Sequence, residues 1–214
     1  LLQLEEYAEG RARDASLDLA FKPVSDLTEE DRAIIVERFF PVPVRTMLQP
    51  FPRYFELNER ASDPARRHDF SDQEIRDIQV WWSLVWFDHD LRPQELVEKG
   101  SNFTEDDKAG LRTLGRRLLE KIIPEYRRMQ DQGTIEISTT PFYHPILPLL
   151  CDTDIYKRTH PQSAMPRHRF IHPEDAVEQL ERAATCHERL FGRRPVGLWP
   201  SEGSVSDAMV PLVA

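Results

Sequence analysis

The sequence predicts an α/β protein, a piece of a β/α barrel carrying a large helical insertion, and three observations lead to that class. Two short runs of strand-forming residues, 134–139 (T-I-E-I-S-T) and 196–199 (V-G-L-W), each end close to a proline, Pro141 and Pro200, that cannot donate to a sheet ladder. Each run follows a helical pattern closed by a glycine, Gly133 or Gly192. Everything upstream reads as helix and loop. Residues 1–132 are therefore expected to be a mostly helical segment inserted between barrel strands, and residues 133–214 to be βα units of the barrel. In such barrels the turns after the strands open on the face where active sites are built, because strand ends converge there on a rigid scaffold.

The helical part opens in mid-helix, with Leu1, Leu2, Leu4 and Tyr7 apolar among acidic residues. Thr28 and Asp31 form a capping box, and Ile34, Ile35, Phe39 and Phe40 supply the apolar face of the helix it starts. Pro41, Pro43, Pro50 and Pro52 then break the chain into short helical turns, and residues 60–69, rich in charge, read as loop. A second capping box, Ser71 with Glu74, begins the strongest pattern, residues 71–88, in which Ile75, Ile78, Trp82, Val85 and Trp86 recur at helical spacing. Trp81 and Phe87 widen its apolar surface, so burial on more than one side is expected, and most of its tryptophans should pack rather than form an exposed binding platform. His89, Asp90 and Arg92 end this helix toward the expected barrel mouth. A short helix over 93–99 and a long one over 104–130, kinked at Pro124, complete the segment.

The first strand sets Glu136 between Ile135 and Ile137, a costly place for a carboxylate without a partner or a task. It breaks at Pro141 into Phe142, Tyr143 and His144. Residues 151–172 form an irregular stretch longer than the roughly 12–15 residues usual for a structureless loop, and are expected to lie over a binding face. The His and Asp residues within it lack the tight spacing of a zinc site, so no metal is expected. Pro173 starts a helix whose inward residues are Ala176, Val177, Leu180, Ala183, Ala184, His187 and Leu190, with His187 read as a helix residue rather than a catalyst. After the second strand, Glu202 falls on the turn, and Ser204 is expected to cap a helix through Val205, Ala208, Met209 and Val210. By pattern alone Glu202 is explained equally well as an acid tolerated by that helix dipole.

The combination G-T-I-E, then Y-H-P-I-L-P, then G-L-W-P-S-E-G resembles glycoside hydrolase family 57, the α-glucan-active group of α-amylases, amylopullulanases, 4-α-glucanotransferases and branching enzymes. The resemblance is close from 133 to about 210 and looser upstream. It implies a (β/α)7-type barrel and a retaining hydrolase or transglycosylase acting on an α-glucan or oligosaccharide, with no cofactor. It implies Glu202 as the catalytic nucleophile and Glu136 and His144 as substrate-binding residues, with Tyr143 and Trp199 walling the pocket. Two departures accompany it. The family's His-Gln-Pro tripeptide is absent, and its general acid, an Asp on a later strand, is expected beyond Ala214, since Asp207 falls too soon after the nucleophile. The chain thus reads as a piece from the middle of a longer protein, inactive alone. Two other readings are a non-catalytic carbohydrate-binding or regulatory protein on the same barrel, and a polysaccharide deacetylase-like barrel, which would use His and Asp metal ligands where these strands offer Glu.

A net charge of −9 argues against a nucleic-acid partner, because phosphate binding needs a positive face. No apolar run approaches the roughly 20 residues that span a bilayer, so no membrane partner is expected. Cys151 and Cys186, without metal spacing, read as reduced thiols of a cytoplasmic protein. Strand edges and apolar helix faces left uncovered in such a piece predict a homodimer.

Overall fold

The computed structural model describes residues 6, 7, 9, 11 and 13–214. Leu1, Leu2 and Leu4 of the expected first helix lie outside the described residues. The chain divides into two compact units, one up to Glu120 and one from Lys121.

In the first unit, α1 (Ala15–Phe21) is capped by the Asp14 carboxylate, which accepts from the Leu17 amide at 2.8 Å. Helix α2 (Glu29–Arg38) starts at the expected box, with the Asp31 amide donating to Thr28 Oγ1 at 3.1 Å and the Thr28 amide donating to Asp31 at 3.0 Å. The proline-rich stretch forms one short helical turn, Val44–Leu48, as expected, but proline at the first helical position then begins a continuous helix, α3 (Pro52–Ser62), and the loop expected from residue 60 starts later. The Ser71–Glu74 box starts α4 (Asp72–Val85), the element against which α1, α2 and α3 all pack. Burial of Ile75, Ile78, Val80, Trp81, Leu84 and Val85 covers most of its circumference.

Trp81 anchors that core. Its ring lies 4.8 Å from Phe51 and edge-on to Phe103 at 5.8 Å, and its indole N–H donates to the Gly100 carbonyl at 2.9 Å. Trp82 stacks on Phe39 at 4.5 Å, whereas Trp86 is 58% exposed, so only part of the tryptophan stripe is core. Helix α5 (Gln94–Lys99) ends in Gly100, whose φ of 70° is the left-handed conformation that favours glycine. Polar groups buried here are satisfied: Asp77 accepts from Arg53, Gln73 and the Phe103 amide at 3.0–3.2 Å. The Lys108 ammonium donates to the Lys22 carbonyl (2.6 Å) and Gln79 (2.8 Å) and pairs with Glu105 (2.9 Å). Helix α6 (Glu105–Asp131) starts at a further capping box, Thr104 with Asp107, that sequence reasoning missed, and it carries Pro124 within its length.

The second unit holds the rest of α6, then α7 (Leu147–Cys151), a 3-10 turn (Thr153–Arg158), α8 (Pro173–Phe191), a 3-10 turn (Ser201–Gly203) and α9 (Val210–Val213). Its core gathers Leu147, Cys151, Ala176 and Met209, with Leu150, Leu180, Leu198 and Leu212 packed around them. Val177, expected to face inward, is 42% exposed.

The expected α/β class and (β/α)7-type barrel are not what the chain forms. Of the described residues 59% are helical, and among them there is no sheet. The two expected strands meet at one parallel bridge, Thr139 with Leu198: the Thr139 amide donates to the Gly197 carbonyl (3.0 Å), and the Trp199 amide to the Thr139 carbonyl (2.7 Å). Helices meet two further polar groups of the first run and one just past it. The Thr134 amide donates to Met129 at 3.0 Å, the Ile137 carbonyl faces the His187 ring at 3.1 Å, and the Phe142 amide donates to Gln179 at 3.2 Å. A parallel sheet is stable when both its faces are covered, and a run whose hydrogen bonds are taken by helices cannot propagate a ladder. The helix expected from Ser204 is also absent. That residue closes the preceding turn by donating to Ser201 at 3.0 Å, and helix resumes only at Val210.

Candidate functional site

Within the second unit, the bridge aligns the ends of two extended runs, and the chain leaves both by sharp turns. After Thr139 the turn closes when the His144 amide donates to the Pro141 carbonyl at 2.8 Å. Past Leu198, the Gly203 amide donates to the Pro200 carbonyl at 2.9 Å. Each turn holds a non-glycine residue in the left-handed region, His144 at φ 57° and Glu202 at φ 55°. Left-handed backbone costs an L-residue roughly 1–2 kcal/mol, and such strain collects at functional sites.

These turns bring His144 and Glu202 together, with imidazole Nδ1 3.9 Å from the carboxylate. That separation exceeds hydrogen-bond reach. The Glu202 side chain is 70% exposed, open to a ligand. Beside the pair stand two exposed rings, Tyr143 and Trp199. Phe142 meets the Tyr143 ring edge-on at 4.8 Å, and the Tyr143 amide donates to the Gln179 side chain at 2.8 Å, which fixes the turn on α8. Arg182, one helical turn from Gln179, is held in its charged form by Glu178 at 2.6 Å and then by Tyr143.

Glu136 lies three residues before Thr139 on the first run, and its carboxylate lies against Gly197, within 3.6 Å of the position a β-carbon there would occupy. The side chain is exposed despite its isoleucine neighbours, because a two-run bridge leaves one face open. Thr140, Ser201 and Ser206 have buried hydroxyls without a partner among the described residues, so the chain around the two turns is less fully satisfied than the core of the first unit.

The stretch 151–172 is pinned at its base. Arg169 Nε donates to Asp152 at 2.8 Å and a second guanidinium nitrogen reaches the other carboxylate oxygen, which holds the Asp152 carboxyl down at about 2. The Thr153 amide donates to Phe170 (3.0 Å) and the His172 amide to Leu150 (2.8 Å), so the loop leaves and returns at one place. From it Arg158 comes within 3.9 Å of Asp207, just past the Glu202 turn. Among the described residues no group of three His, Cys, Asp or Glu side chains is placed to hold a metal ion, and no helix is long and apolar enough to cross a membrane.

Sequence reasoning missed Gln179 and Arg182, although their i, i+3 spacing puts them on one face of α8. The family model described as Glycosyl hydrolase family 57 matches residues 53–214, about three-quarters of the chain. No curated protein and no solved structure matches it.

Proposed function

The chain belongs to glycosyl hydrolase family 57, and from that premise we propose that it carries the nucleophile of a retaining hydrolase or transglycosylase of α-glucans, Glu202. The observation that supports this best is the strained turn, which turns an exposed carboxylate toward His144 beside two exposed aromatic rings. In this scheme Glu202 attacks the anomeric carbon while an Asp outside these residues gives its proton to the departing sugar oxygen. The glycosyl ester then yields to water, or to a sugar hydroxyl in transfer. His144 binds a sugar hydroxyl, Tyr143 and Trp199 stack on pyranose C–H faces, and Glu136 orients a more distant hydroxyl. Neutral sugars ask for no positive surface, in keeping with a net charge of −9.

Turnover of a malto-oligosaccharide by the intact protein tests the assignment. Glu202→Ala should lower kcat by roughly a thousandfold or more. Azide, taking the vacated position, should restore turnover with a β-glycosyl azide as product. Unchanged kcat, or no azide product, overturns the nucleophile role.

A further inference from the structure

His187 was expected to be an ordinary inward residue of α8. It is buried, 4% exposed, but both its ring nitrogens face backbone carbonyls: Nδ1 lies 2.8 Å from the Arg193 oxygen and Nε2 3.1 Å from the Ile137 oxygen. A carbonyl only accepts, and a neutral imidazole has one N–H. Both contacts are hydrogen bonds only when the ring carries two protons. With one, Nδ1 keeps the shorter bond and the Nε2 lone pair opposes the Ile137 oxygen.

From this we infer that His187 is a positioning residue whose protonation switches its hold on the 134–139 run, and through it the bridge behind the His144–Glu202 turns. Ile137 lies two residues before Thr139, whose amide and carbonyl make the bridge. The ring lies near the C-terminal end of α8, and the Phe191 ring packs against it at 4.9 Å. Glu188 and Arg189 follow it in sequence on α8. The Arg193 guanidinium donates to the Gln130 carbonyl at 3.2 Å, Arg127 of α6 lies against Gly192, and Glu136 turns to Gly197. Only the relevance of the clamp to turnover rests on the proposed role of Glu202. Its test reads the backbone and the ring, so failure of the clamp and failure of the nucleophile assignment are separate results.

The experiment measures amide hydrogen-exchange protection of Thr139 and Trp199 in the full chain from about pH 5.5 to pH 8, where histidine changes charge. 15N-histidine spectra of the same samples count the protons on His187. Protection should fall about fivefold as the ring loses its second proton, the effect of one ordinary hydrogen bond. His187→Gln, whose amide nitrogen replaces Nε2–H at any pH, should stay at the acid-side level. His187→Asn, whose nitrogen replaces only Nδ1–H, should stay at the alkaline-side level. Protection in the wild type that does not follow ring protonation, measurable even if neither variant folds, overturns the inference, as does a His187→Gln profile with the same pH dependence as wild type.

Discussion

Replacing Glu202 by glycine should make its turn firmer while removing the carboxylate. At φ 55° and ψ 19° the residue is in the left-handed region, which costs an L-residue roughly 1–2 kcal/mol and glycine almost nothing. Glycine returns about 0.5–1 kcal/mol of this through the added freedom of the unfolded chain. The net gain is about 0.5–1 kcal/mol. Losing the exposed contact with His144 subtracts at most ~1 kcal/mol, so Glu202→Gln, which removes the charge and keeps the backbone cost, is the proper reference. The assay is exchange protection of the Gly203 and Ser204 amides, whose bonds to Pro200 (2.9 Å) and Ser201 (3.0 Å) report the turn alone. Relative to Glu202→Gln, Glu202→Gly should protect them about two- to fivefold more. Glu202→Val, β-branched in a left-handed position, should protect them less. Glycine giving equal or lower protection would refute strain at this residue.

If sugar rings stack on Tyr143 and Trp199, replacing either with alanine should raise KM for a malto-oligosaccharide about three- to tenfold with kcat nearly unchanged; a fall in kcat alone would place these rings outside the binding path. Because Asp152 is held down at about 2, chiefly by its hydrogen bond to Arg169, the stability this pair gives the base of the 152–172 loop is present above the ordinary aspartate value. It is lost as pH falls from about 4 toward 2. Pepsin cleavage of the loop should therefore accelerate over that interval in the wild type and be fast throughout in Asp152→Asn. Exposed Val196, Trp199, Val205 and Val210 lie beside an uncompleted bridge, and sedimentation should show self-association of these 214 residues that weakens in Val196→Lys.

Features set by near neighbours were legible in the sequence. The boxes at Thr28 and Ser71 depend on residues three apart, and both form as read. The core role of Trp81 followed from an apolar pattern too wide for one stripe. Partner choice was not legible. Ile135, Ile137, Leu198 and Trp199 have the composition of buried strands, but composition does not say whether the next partner is a strand or a helix, and here the Ile137 carbonyl meets His187 of α8 while Trp199 pairs with Thr139. Burial of Glu136 was inferred from its neighbours in sequence, whereas the open face of the bridge decides it. Ser204 carried a helix-capping signal, but its backbone amide closes the preceding turn and no helix starts there. The motif residues stood out by type and spacing, and the turns explain the meeting of His144 with Glu202, while His187 acquires its two carbonyls from residues 50 positions upstream and 6 downstream.

The three oxygens enclosing the Lys108 ammonium belong to Lys22, Gln79 and Glu105, well separated along the chain, and only 2% of its side chain reaches solvent. An amine-modifying reagent can reach it only when those segments part. Mass-spectrometric labelling of this one lysine, set against the more exposed Lys157, would count the opened fraction of the first unit directly, with no dye or engineered probe.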